Sequence, residues 1–191
     1  MTFPLRMIVG GLVGATITAA TVVAEPQRNL KYDTKHERNV LDYWPAKSKG
    51  KPTPVFVWFH GGGFRQGDKK LDGGASAWMR EAYQEAGYAV VSCNYPFLNK
   101  GAGIDYMDIV IHCARAVQFV RSKAEEWNID PARLCCGGVS AGALISEALG
   151  YHDDFADSNA KDKGARLSSR PAVVVSHMQP IGTKDFALRY M

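Results

Sequence analysis

Two glycine-rich pentapeptides hold the residues of this chain best suited to chemistry. His60-Gly61-Gly62-Gly63-Phe64 and Gly138-Val139-Ser140-Ala141-Gly142 begin 78 residues apart. The second has the G-x-S-x-G form of a sharp strand-to-helix turn, in which Gly138 and Gly142 leave room for a tight bend and Ser140 is lifted out as a nucleophile. A helix starting at Ala141 would aim its free N–H groups and partial positive charge at the same place. The first motif follows an apolar run, and its three glycines free backbone N–H groups to face a carbonyl oxygen as it turns negative. Removing one such donor typically slows a reaction by about 100- to 1000-fold. Alone, a G-x-S-x-G is more often a packing turn. The glycine loop ahead of it, closed by the aromatic Phe64, shifts the reading to nucleophilic attack on an acyl carbon.

Such a site has to be carried by buried strands, and the apolar runs supply them. Val55–Phe59 is continuous and β-prone, as a strand buried on both faces requires, and it delivers the glycine loop directly. Tyr88–Cys93 and Ala172–Ser176 have the same character, and the second is expected to be buried. Arg133–Cys136 is a short strand leading into the elbow, after a turn at Asp130-Pro131. Between them lie helical patterns at Ala75–Ala86 (stopped by Gly87), Ile104–Trp127 and Ala141–Leu149. Leu30–Trp44 alternates apolar and polar residues, predicting one or two partly exposed edge strands. Strand and helix alternate, which predicts an α/β fold with a mostly parallel sheet and helices on both faces.

Composition removes other classes. Lys and Arg number 23 against 19 acidic residues, a net charge of +4. The basic residues are dispersed, with no stripe interleaved with aromatics, so nucleic acid is not a partner. The four cysteines are Cys93, Cys113, Cys135 and Cys136. Buried thiols are the preferred reading, with a vicinal Cys135–Cys136 disulfide as the alternative. No zinc spacing occurs, and acyl transfer through a serine calls for no metal or organic cofactor. Residues 1–24 read as a secretory signal: Arg6, an apolar stretch from Met7 to Val23, then small residues before a cleavage at Glu25. The stretch is short for a membrane anchor, so cleavage and a secreted or periplasmic location are expected. Residues 25–191 then form one domain.

With these motifs in this order, the chain resembles the hormone-sensitive-lipase-like branch of the α/β-hydrolase carboxylesterases, and secreted esterases of acylated carbohydrates. Val91-Ser92-Cys93-Asn94-Tyr95, Asp108 at the start of the long helix, and Trp127–Leu134 are similar to the corresponding segments of the family. The resemblance implies Ser140 as nucleophile, Gly62, Gly63 and Ala141 as oxyanion donors, and small-molecule or carbohydrate esters as substrates. His60 would be a structural loop residue and Gly61 part of the same loop. Asp108 would hydrogen-bond or pack. Val139, Ala143 and Pro96 depart from the family's usual acid, glycine and arginine.

In this fold the acid and base follow the serine. Only His152 and His177 do so here. His152 lies just past the next helix, so His177 is the one in-chain candidate base. The family places acid and base after two further strands, which are expected to be missing. Three explanations stay open: a C-terminally truncated esterase, a degenerate hydrolase kept as a non-catalytic binding module, or a second chain supplying base and strands. The first is preferred. In each, Ala172–Ser176 becomes a sheet edge through which the chain could self-associate.

Overall fold

The computed structural model describes residues 25–47 and 50–177, so the signal expected over 1–24 lies outside the described residues. Strand β1 is Gln27–Lys31, β2 Val40–Trp44, β3 Thr53–Phe59, β4 Ala89–Cys93, β5 Ile129–Val139 and β6 Val173–His177. Helix α1 is Gly74–Glu85, α2 Tyr106–Ser122, α3 Ala124–Trp127 and α4 Ala141–Tyr151. The six strands form one sheet in the order β1-β2-β4-β3-β5-β6. β4, β3, β5 and β6 run parallel, while β2 is antiparallel to both β1 and β4. This is the mostly parallel α/β sheet that the sequence pattern predicts.

Side chains alternate across the sheet and so divide the core in two. Val55, Val57 and Phe59 of β3 join Val91, Leu134 and Cys136 in a large cluster with Ile109, Cys113 and Val117 of α2 and Ile145 and Leu149 of α4. On the opposite face Phe56 stacks on Tyr83 of α1 with ring centroids 3.9 Å apart. Trp44, Leu71 and Val90 make a smaller cluster there with Met79. α1, α2 and α4 thus cover both faces of the central strands. Both glycine motifs leave the sheet at the C-terminal ends of β3 and β5.

Several boundaries differ from the sequence reading, each for a physical reason. β2 is an interior strand and not an edge. Its apparent polar position, Asp42, is buried because its carboxylate pairs with Lys69 at 2.8 Å, with side chains 4% and 7% exposed. The helix pattern over 104–127 breaks at Lys123 (φ −93°, ψ 9°), separating α2 from α3. The apolar spacing runs through the break because Trp127 still packs inward, stacked on Tyr43 at 4.0 Å. β5 begins at Ile129, and Asp130-Pro131 forms a register shift inside the strand. There the Asp130 carboxylate accepts from the Ala132 N–H and the Arg133 Nε.

β6 corrects the expectation of burial: Val173 is 52% exposed. Among the described residues β6 pairs only with β5. Its inner face rests on α4, where Ser176 Oγ donates to Glu147 at 2.7 Å. All four cysteines are free thiols; Cys93, Cys113 and Cys136 are buried and Cys135 is half-buried. Cys135 and Cys136 point to opposite faces of β5, so a disulfide between them would break the strand. Burial pushes the thiols' pKa upward, Cys136 the adjacent pair's more buried member.

Candidate active site

The turn from β5 into α4 puts Ser140 in a rare backbone conformation, φ 53°, ψ −112°. A non-glycine residue is held there only when its surroundings over-determine it. The two flanking glycines do so by close approach. A Cβ on Gly142 would lie 2.0 Å from the Phe59 carbonyl oxygen, and one on Gly138 would lie 2.3 Å from the Gly142 carbonyl carbon. Only glycine lets α4 start this near the end of β3. The Ser140 N–H donates to the His177 carbonyl at 3.1 Å, and its own carbonyl accepts from Leu144 N at 3.2 Å. The side chain makes no capping hydrogen bond to α4.

The glycine loop folds against this elbow. A Cβ on Gly61 would meet the Val139 carbonyl oxygen at 2.9 Å and the Ser140 Cβ at 3.5 Å. Gly62 (φ 116°), Gly63 (φ 61°) and Phe64 (φ 60°) follow in the left-handed region. Gly62's carbonyl closes the turn by accepting from Arg65 and Gln66 at 3.1 and 3.2 Å. Phe64 is fully buried against Tyr106, which ties the far end of the loop to α2. The loop therefore has a fixed path beside Ser140, with the α4 N-terminus opposite it. Such an arrangement suits an anion forming on an acyl oxygen.

His60 sits under the loop, 6% exposed. Its Nδ1 is 2.7 Å from the Gly61 carbonyl. A carbonyl only accepts, so Nδ1 carries the proton and Nε2 is the acceptor. Burial is the main cause that lowers the His60 pKa from 6.5 to about 4, and the nearby Arg38 adds to it. Tyr95 stacks on the imidazole at 4.3 Å, and its hydroxyl donates to the His60 carbonyl at 2.5 Å. Asp108 takes a helix-capping place: its carboxylate accepts from Asp105 N at 2.9 Å while the Asp105 side chain accepts from Asp108 N at 3.0 Å. This capping box starts α2.

The two histidines downstream of the serine lie in different places. His152 stands at the C-terminal end of α4, about 18 Å along the helix from Ser140, stacked on Phe155 at 4.8 Å. His177 is next to the serine in register, across from Val139. Its backbone carbonyl, rather than its ring, is what bonds Ser140, and the ring lies 5.9 Å from that of Trp58. Arg38 is a residue of this neighbourhood that no motif marks. It arrives from the turn between β1 and β2, and its position becomes visible only in three dimensions. Among the described residues no group of three or more His, Cys, Asp or Glu side chains is arranged to hold a metal ion. No helix of the described residues is long and apolar enough to cross a membrane.

Known proteins share this fold. The sequence profile of the BD-FAE family matches residues 41–188. Acetylcholinesterase of Gallus gallus is 30% identical over 138 residues, which is 66% of this chain and 16% of that protein. The acetyl ester-xyloside bifunctional hydrolase from Caldicellulosiruptor lactoaceticus superposes with a TM-score of 0.63 at 24% identity, covering 77% of this chain and 52% of that one. A truncated form of a carbohydrate esterase from gut microbiota gives 0.65 at 20% identity, covering 80% and 55%. The chain thus spans about half the length of these solved structures and about a sixth of the curated relative.

Proposed function

The chain belongs to the BD-FAE family of α/β-hydrolase-fold esterases, and on that premise we propose that it cleaves carboxylic esters through an acyl-enzyme on Ser140. The observation that carries this reading is the strained Ser140 backbone at the head of α4, with Gly61 of the glycine loop so near that a Cβ added there would lie 3.5 Å from the serine's own Cβ. In the proposed reaction the Ser140 hydroxyl attacks the ester carbonyl carbon and loses its proton to a base. The carbonyl oxygen becomes anionic and is met by the N–H groups of Gly62, Gly63 and Ala141. Collapse breaks the bond to the alcohol, which leaves with the proton held by the base; water then gives a proton to the base, attacks the acyl carbon in turn, and the acid departs as Ser140 regains its proton.

His177 is the candidate base within this chain, and a rotation of its ring away from Trp58 is what that role demands. The names of the solved relatives, an acetyl ester-xyloside hydrolase and a carbohydrate esterase, support an acylated carbohydrate or a small ester as substrate. A second reading, binding of an ester without turnover, is favoured by one observation. Among the described residues no imidazole hydrogen-bonds the Ser140 hydroxyl.

Intact-mass analysis of the folded protein after treatment with a fluorophosphonate separates the two. The esterase reading expects one covalent adduct that disappears in Ser140→Ala. Binding without turnover expects no adduct, together with ester binding that survives the substitution.

A further inference from the structure

Arg38 lies on no catalytic motif, yet its guanidinium touches the glycine loop at two places and the segment after β4 at a third. Its Nε donates to the Tyr95 carbonyl at 2.8 Å. Its Nη2 donates to the Gly67 carbonyl at 3.0 Å and faces His60 Nε2 at 3.5 Å. The planar group lies 3.8 Å above the ring of Phe97. These contacts gather both ends of the loop, since His60 opens it and Gly67 closes it. The two ends already meet without the arginine: a Cβ on Gly67 (φ 119°) would fall 2.2 Å from His60 Nδ1.

From there a continuous path leads to the nucleophile. Arg38 faces the unprotonated nitrogen of His60. The protonated nitrogen of the same ring donates to the Gly61 carbonyl at 2.7 Å. Gly61 in turn lies against the elbow, where an added Cβ would meet the Val139 carbonyl oxygen at 2.9 Å and the Ser140 Cβ at 3.5 Å. The orientation of the Gly61 peptide decides which way the next N–H points, so a hold on His60 is a hold on the oxyanion donors.

We infer that Arg38 is the positioning residue of the oxyanion loop: reaching over from the β1–β2 turn, it fixes His60 and Gly67 and thereby holds the Gly62 and Gly63 N–H groups toward a developing acyl-oxygen anion. None of these contacts is to Ser140. A guanidinium suits the task because its flat fork serves two carbonyls and an imidazole while stacking on an aromatic ring, which a lysine ammonium cannot reproduce. This inference rests on the esterase reading of the site.

The test compares Arg38→Met and Arg38→Lys with the unaltered chain. Two quantities are read: the rate of fluorophosphonate labelling, and backbone amide exchange over residues 61–67. Displacing an oxyanion donor by a fraction of its reach is expected to slow labelling by at least about tenfold in Arg38→Met, given the roughly 100-fold or larger cost of losing one outright. Arg38→Lys should fall between, and amide exchange should rise in the loop but not in β3, β4 or β5. Labelling of Arg38→Met at the unaltered rate overturns the inference, as does slower labelling with exchange raised throughout the sheet. If the unaltered chain does not label, the esterase reading falls first. The role of Arg38 is then judged on loop exchange alone, and unchanged exchange in Arg38→Met overturns it.

Discussion

Ser140 occupies a backbone region (φ 53°, ψ −112°) that costs an L-residue roughly 1–3 kcal/mol. The fold carries this strain through close packing: Gly138 and Gly142 fit α4 against the end of β3, and Gly61 closes the remaining gap. Replacing the strained residue with glycine should release more than the extra chain entropy costs, about 0.5–1 kcal/mol. Ser140→Gly is therefore expected to be as stable as the unaltered chain or more stable by about 1 kcal/mol, while losing all covalent labelling. Urea denaturation alongside mass analysis checks both. A marked loss of stability would mean that the serine's conformation is not strained in the folded protein. Strain of this kind is what the proposed esterase site would keep at some expense to stability.

At the scale of elements, the loop after the glycines is anchored to the sheet by charge. Asp42 of β2 pairs with Lys69 at 2.8 Å and with Arg28 at 3.2 Å, and its Oδ1 also accepts the Asn29 N–H at 2.8 Å. Arg28 extends the group to Asp72 and lies 4.3 Å over the Trp44 ring. The segment from Asp68 to Asp72 is therefore fixed to the β1–β2 side of the sheet, close to where Arg38 emerges. Removing one partner of a buried pair leaves an under-compensated charge and costs about 3–5 kcal/mol. Lys69→Met is expected near the lower end, about 3 kcal/mol, because Arg28 still serves the carboxylate. The double change Lys69→Met with Asp42→Leu should recover much of that loss. Chemical denaturation of the single and double variants decides it: equal losses in both would show that the pair is not what holds the segment.

For the molecule as a whole, His60 links the site to stability. Its pKa in the fold, about 4, lies below its ordinary 6.5. Between those values the unfolded chain binds more protons, so this group's contribution to stability is complete above about pH 6.5 and is lost as pH falls toward 4. A drop of that size corresponds to roughly 3 kcal/mol. The thermal midpoint of the unaltered chain should fall across that window, and His60→Gln should flatten the fall. A midpoint equally pH-dependent in the variant would assign the effect to other groups. Much of the molecule was legible in advance, because apolar runs such as Val55–Phe59 and Tyr88–Cys93 leave a strand little choice but the centre of a sheet. The two glycine motifs were legible for a related reason: tight turns and close backbone approach restrict which residues can stand there, and that restriction is written locally. The sequence by itself thus determined the alternation of strands and helices, the parallel core and the two loops that meet at Ser140. Burial of β2 was hidden, since Asp42 reads as solvent-facing until Lys69, far along the chain, arrives to neutralise it. Arg38 was hidden for the same cause, its partners His60 and Gly67 lying in one loop and Tyr95 and Phe97 in another, both far along the chain. Only the tertiary structure decided those, because a charge's place depends on the partner that lowers its desolvation cost, and that partner is set by folding and not by spacing along the chain.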